Sequence, residues 1–109
     1  MSSSYVTDET PAGGFEKIAV STTVKQITAT NLAVNEVGGL VKRACKAFLT
    51  VETNSIRVRW DGTNPDSTTG HLLTSGSSLT IIGESNVSRL RMIRASADAD
   101  VHVTFYYNR

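Results

Sequence analysis

In three runs from Cys45 onward, apolar and polar residues alternate at every second position, and this constrains the fold more than any other feature of the chain. In the run Cys45 to Glu52, Cys45, Ala47, Leu49 and Val51 share one face, and Lys46, Phe48, Thr50 and Glu52 share the other. Ile56, Val58 and Trp60 alternate with Arg57 and Arg59. Val101, Val103, Phe105 and Tyr107 alternate with His102, Thr104 and Tyr106. Period two marks a half-buried strand, because successive side chains of extended backbone point to opposite sides. Helical spacing fits less well, and Thr50, Val51 and Thr53 are stiff at χ1 and favour a sheet.

Turn residues cut these runs about every eight to twelve residues. Thr53-Asn54-Ser55, Asp61-Gly62, Asn64-Pro65, Ser75-Gly76, Gly83 and Ala97 to Asp100 are the interruptions. Shorter runs around Ile18 and Val20, His71 to Leu73, Leu79 to Ile82 and Leu90 to Ala95 complete the set. Residues 45–60 read as a β-hairpin, 84–88 as a single helical turn, and 31–39 as a connection. The expected fold is all-β: an antiparallel β-sandwich or small barrel, jelly-roll-like, of seven or eight short strands. Strand order is not legible from alternation alone.

The expected core is Ile18, Val20, Ala47, Leu49, Val51, Ile56, Val58, Trp60, Leu72, Leu79, Ile81, Met92, Val101, Val103 and Phe105. Cys45 reads as a small buried hydrophobe. Residues 15–109 form one domain. Residues 1–14, polar and ending in Pro11 and Gly13-Gly14, read as an extended arm, with Tyr5 and Val6 as anchors on a neighbouring subunit.

Composition removes several function classes. Eleven basic residues against ten acidic ones leave a net charge of +1, which argues against a nucleic-acid binder relying on phosphate contacts. One cysteine in 109 residues allows neither an internal disulfide framework nor a cysteine-built zinc site. No apolar run approaches the roughly 20 residues of a membrane span. Met1 to Thr10 lacks the basic start and apolar centre of a signal peptide, so synthesis and assembly in a cytoplasm are expected.

Catalytic and ligand chemistry is sparse. His71 and His102 are the only histidines, and no Gly-x-Ser-x-Gly pattern surrounds a serine. Asp61, Thr63, Asn64 and Asp66 put oxygen donors in one loop, but their spacing matches no calcium loop, and such residues are ordinary turn formers. Gly38-Gly39 lacks the Lys-Ser/Thr of a phosphate loop. The expectation is no enzyme, no cofactor and no metal. One polar pattern stands out. Arg57 and Arg59 share a strand face, Arg89 and Arg91 share another, and Arg94 is near. If those strands are neighbours, five guanidinium groups gather into one partner-binding surface or one solvated sheet face.

The stretch Ile56 to Leu73 carries Ile-Arg-Val-Arg-Trp-Asp-Gly, then Asn64-Pro65, then Gly70-His-Leu-Leu. It is followed by Gly76-Ser-Ser-Leu79, Leu90-Arg-Met-Ile-Arg94 and an aromatic closing strand, Val101 to Tyr107. Over residues 44–107 this resembles small virion structural proteins of tailed bacteriophages. The resemblance implies a non-enzymatic role in the particle, as a capsid decoration or cement protein. The implied partners are the major capsid protein or neighbouring virion subunits, and the implied state is a homo-oligomer, with a trimer favoured. A head–tail connector, tail-terminator or other tail component is the alternative within the particle. A small glycan- or ligand-binding module, using Tyr5, Trp60, Tyr106 or Tyr107, is the alternative outside it.

Overall fold

A computed structural model describes residues 12–35 and 41–107. Nine strands and two short helices follow one another as β1 (Ala12–Val20), β2 (Lys25–Gln26), α1 (Ala29–Leu32), β3 (Ala33–Asn35), β4 (Val41–Glu52), β5 (Ile56–Arg59), β6 (His71–Leu73), β7 (Ser78–Ile82), α2 (Glu84–Ser88), β8 (Arg91–Arg94) and β9 (Ala99–Tyr107).

All pairings are antiparallel, and they form two sheets. In the first, β1 lies beside β9 and β9 beside β4, while β7 and β3 share the far edge of β4. The second has the order β2-β8-β5-β6. The pairs are nested: β1 with β9, β2 with β8, β4 with β7, and β5 with β6. A long two-stranded ribbon folded at the β5–β6 end and wrapped so that it alternates between layers gives this set of contacts. That is the jelly roll, with β3 as an addition. The expected all-β sandwich is therefore the observed fold.

The inner faces meet in one core. Ile18, Val20, Ala47, Leu49, Val51, Ile81, Val101, Val103 and Phe105 come from the first sheet, and Ile56, Val58 and Met92 from the second. Val87 of α2 and Leu90 are fully buried, as the helical turn carries the chain from one layer to the other. Each buried valine, leucine, isoleucine, methionine or phenylalanine side chain contributes about 1.5–3 kcal/mol by leaving water.

Several expectations change. Residues 45–60 do not form a hairpin, because β4 and β5 belong to different sheets. Thr53 takes a left-handed φ of 79°, and Asn54 donates Nδ2–H to the Asp98 carbonyl at 2.9 Å. The segment is thus an arch between layers, tied to the neighbouring β8–β9 crossing. Leu72 is not core. It stands opposite Arg57 on the outer face, 48% exposed, while Leu73 packs inward opposite Ile56. Trp60 and Leu79 are half-buried against the core rather than within it.

Cys45 is half-buried, and Ala44 takes the core position. The register between β4 and β9 shifts there, so one extra residue reverses the alternation. The Cys45 thiol donates to the Tyr106 carbonyl at 3.4 Å. β1 begins at Ala12, so the last residues assigned to the arm already pair with β9. Tyr5 and Val6 lie outside the described residues. The helical turn at 84–88 is observed as α2, whereas α1 and β3 occupy part of the expected connection.

Where α1 meets β1, Glu16 of β1 accepts from the Thr28 backbone N–H at 3.2 Å, from the Thr28 hydroxyl, and from Asn31 Nδ2 at 2.9 Å. The Tyr107 hydroxyl donates to the Asn31 carbonyl at 2.7 Å. Burial, and then the Glu16 charge, push the Tyr107 hydroxyl above its ordinary pKa. A Cβ on Gly13 would stand 2.5 Å from the Tyr107 ring, so the absence of a side chain there lets the ring lie against β1.

Candidate interaction surfaces

The arginines gather, but not as a bare basic patch. β5 pairs β8 so that Arg59 stands opposite Arg91, and Arg57 stands opposite Ile93. Like charges directly opposite on one face repel. Here the loop from Asp61 to Gly70 lies across that face and supplies acceptors. Arg57 Nη1 donates to the Gly70 carbonyl at 3.1 Å. Arg59 grips the Asp61 carboxylate with two bonds, Nε at 3.1 Å and Nη2 at 2.6 Å. Arg89 Nη2 donates to the Asp61 carbonyl at 2.7 Å, and Arg91 Nη1 to Asn64 Oδ1 at 2.7 Å. Paired planar donors suit a carboxylate, which is why arginine rather than lysine serves here.

The loop has its own frame. Asp66 Oδ1 accepts from the Thr68 backbone N–H at 2.8 Å and its hydroxyl at 3.0 Å, and Asp66 and Thr69 exchange backbone bonds. Pro65 is buried beneath it. Gly62 (φ 86°) and Gly70 (φ 132°) make the bends at either end, in backbone regions that side chains disfavour. Of the oxygen donors singled out as a possible cation site, the Asp61 carboxylate is held by Arg59, Asn64 Oδ1 by Arg91 and Asp66 Oδ1 by Thr68. Among the described residues, no group of three or more histidine, cysteine, aspartate or glutamate side chains comes together to hold a metal.

Arg94 does not join the other four. It stands opposite Ile56, in the inward register at the end of β8, and pairs with Asp98 at 2.7 Å. Within β8 the separation follows from parity, since Arg91 and Arg94 are three residues apart, whereas Arg89 precedes the strand at the end of α2.

The Arg59 bond, then the Thr63 backbone bond, lower the Asp61 carboxyl to about 2 from an ordinary 3.8. A folded-state value below the unfolded one gives a contribution that is complete above the unfolded value and lost as pH falls toward the folded one. The expected result is that the Asp61 carboxyl carbon titrates by NMR with a midpoint near 2. Over the same range below pH 4, the Thr63 amide, which donates to the Asp61 carboxylate, should move with the same midpoint. A midpoint close to 4 would show that Arg59 does not hold the carboxylate in solution.

The histidines serve locally. His71 stacks on Trp60 with centroids 4.9 Å apart and planes 22° apart, beside a depression of about 120 Å³ lined by Arg59, Trp60, Asp61 and His71. His102 Nε2 is 3.1 Å from the Glu52 carboxylate.

A second surface went unweighted in the sequence: the outer face of the first sheet. Cross-strand register sorts its side chains into four rows. Tyr106, Lys46 and Ile82 form the first, and Phe15, Thr104, Phe48 and Thr80 the second. Lys17, His102, Thr50 and Ser78 form the third, and Ala19, Asp100 and Glu52 the fourth. Phe15 is 59% exposed and Ile82 70%. Lys46 Nζ sits 4.4 Å above the Tyr106 ring. The available signal was that Phe48 and Tyr106 fall in the outward register of otherwise polar faces.

Comparison of the chain with protein-family models, with curated proteins and with solved structures finds no match.

Proposed function

We propose that this protein is a non-enzymatic structural component of a tailed-bacteriophage virion, of the capsid-decoration or cement kind, that binds the major capsid protein. The observation that supports this most is the nested jelly roll whose most concentrated polar chemistry is directed at its own loop. Jelly rolls recur in capsid proteins and in lectins. The sequence resemblance over residues 44–107 favours the first. On this reading the protein is assembled into particles in the host cytoplasm.

A connector or tail role drew on the arginine stripe, and it loses that support because four of the guanidinium groups hold the 61–70 loop. A ligand-binding role keeps one specific observation, the Trp60–His71 stack beside its small depression. Of the other aromatics weighed for it, Tyr107 is buried and Tyr106 lies under Lys46.

The test is quantitative mass spectrometry of purified particles against the major capsid protein. The expected ratio is about one per capsid subunit or about one per three, as a lattice-bound component requires. A few copies per hundred would move the protein to the neck or tail. Absence from the particle would end the virion reading.

A further inference from the structure

We infer that the face of β5 and β8 beneath the 61–70 loop holds a tetrahedral oxyanion such as phosphate, seated between the guanidinium groups of Arg57 and Arg91. What matters is the corner of each group that the loop engages. Arg57 gives Nη1 to the Gly70 carbonyl, and Arg91 gives Nη1 to Asn64 Oδ1. The Nε–H of each is buried and meets no acceptor among the described residues. A buried donor of this kind calls for an acceptor, and two on one face call for a shared one. A guanidinium is a rigid fork, and Nε and Nη2 form one edge of it, to which Nη1 does not belong. Arg59 shows what that edge takes, since it grips both oxygens of the Asp61 carboxylate with it. Arg57 and Arg91 each keep that edge out of their bonds to the loop.

Register brings the two edges near each other. Arg91 stands opposite Arg59, and Arg57 opposite Ile93, so Arg57 and Arg91 are diagonal neighbours on one face. Long side chains reach one another across such a diagonal. Charge favours the same ligand. Arg57, Arg59, Arg89 and Arg91 all touch the loop, whose only carboxylates are those of Asp61 and Asp66. The surplus is positive and partly withdrawn from water, where an anion is held more strongly than in bulk solvent. Shape decides between anions. Two fork edges ask for four acceptor oxygens. A carboxylate offers two and serves one edge, whereas phosphate or sulfate offers four. Because both Nε atoms are buried, the ion enters as the loop lifts about Gly62 and Gly70, whose positive φ values mark its two bends.

The inference does not rest on the virion reading, and its test needs no particle. The arginine Nε–H signals of the isotope-labelled full chain are followed by NMR as inorganic phosphate is added, with sodium chloride holding the ionic strength constant. Arg57 and Arg91 should shift saturably, with half-saturation at about a millimolar or below. Arg94, paired with Asp98 away from the loop, should not shift. Sulfate should compete with phosphate, and acetate should not. Arg57→Lys and Arg91→Lys keep the charge but lose the fork, and each should weaken binding at least about tenfold. Arg94→Lys should bind as the parent does. The parent titration stands by itself, so the proposal can fail even if a variant does not fold. Shifts no larger than sodium chloride alone produces, equal shifts at Arg94, acetate as effective as phosphate, or folded lysine variants with parental affinity would each overturn it.

Discussion

Replacing Phe105 by alanine is expected to cost about 3–5 kcal/mol, the range for deleting a buried aromatic ring. Among the described residues Phe105 is the largest fully buried side chain, and its cross-strand neighbours are Gly14 on β1 and Ala47 on β4. Small residues on both sides make the space the ring occupies, so neither neighbour can fill the space it leaves. The Tyr107 ring, 6.5 Å away between centroids, loses a packing partner as well. Small domains are stable by about 5–15 kcal/mol, so the variant should retain a fraction of its stability or be largely unfolded at 37 °C. Urea denaturation followed by Trp60 fluorescence measures this. A loss below about 1 kcal/mol would mean that the ring is not central to the core.

The second large effect is expected at Gly70. Its φ of 132° is strained for any other residue, and a Cβ there would lie 3.1 Å from the Val58 carbonyl, 3.2 Å from Pro65 Cβ and 3.3 Å from Arg57 Cβ. Gly70→Val should cost about 1–3 kcal/mol. It should also lift the loop from Arg57, whose acceptor is the Gly70 carbonyl. Hydrogen exchange separates the two consequences. The Asp66 and Thr69 amides, which bond to each other's carbonyls, should lose protection, while β4 and β9 amides keep theirs. Equal loss everywhere would mean that the loop and the sandwich open as one unit.

The sequence made the layers legible because alternation is local. Val101 to Tyr107 could be assigned a face residue by residue, and every inward assignment there held. The errors fell where one extra or missing residue decides. The shift between Ala44 and Lys46 exchanged Cys45 for Ala44, and the three-residue β6 offered too short a run to tell Leu72 from Leu73. The false hairpin at 45–60 came from reading an arch as a turn, since both need a bend and only the pairing distinguishes them. For the candidate surface, composition pointed to the arginines and parity placed Arg57, Arg59 and Arg91 correctly. What parity could not supply was the acceptors, because Asp61, Asn64 and Gly70 reach those guanidinium groups only once the loop doubles back. The outer face of the first sheet was invisible for a related reason: its rows combine residues from β1, β4, β7 and β9, and only register assembles them.

The nested pairing also governs the order in which this molecule can be made. β9 is the last described strand along the chain, yet it is an interior strand of its sheet, between β1 and β4. A ribosome therefore exposes β1 and β4, each with an open edge, well before the strand that fills the gap between them. Closure of the first sheet waits for synthesis to reach β9 and then joins segments at opposite ends of the described chain. Long-range closure of this kind places folding in the slow range of about milliseconds to seconds. Unpaired edges in the interval are templates for mispairing between nascent chains. Yield from an expression host should accordingly depend on crowding and temperature during translation more than on the stability of the finished sandwich.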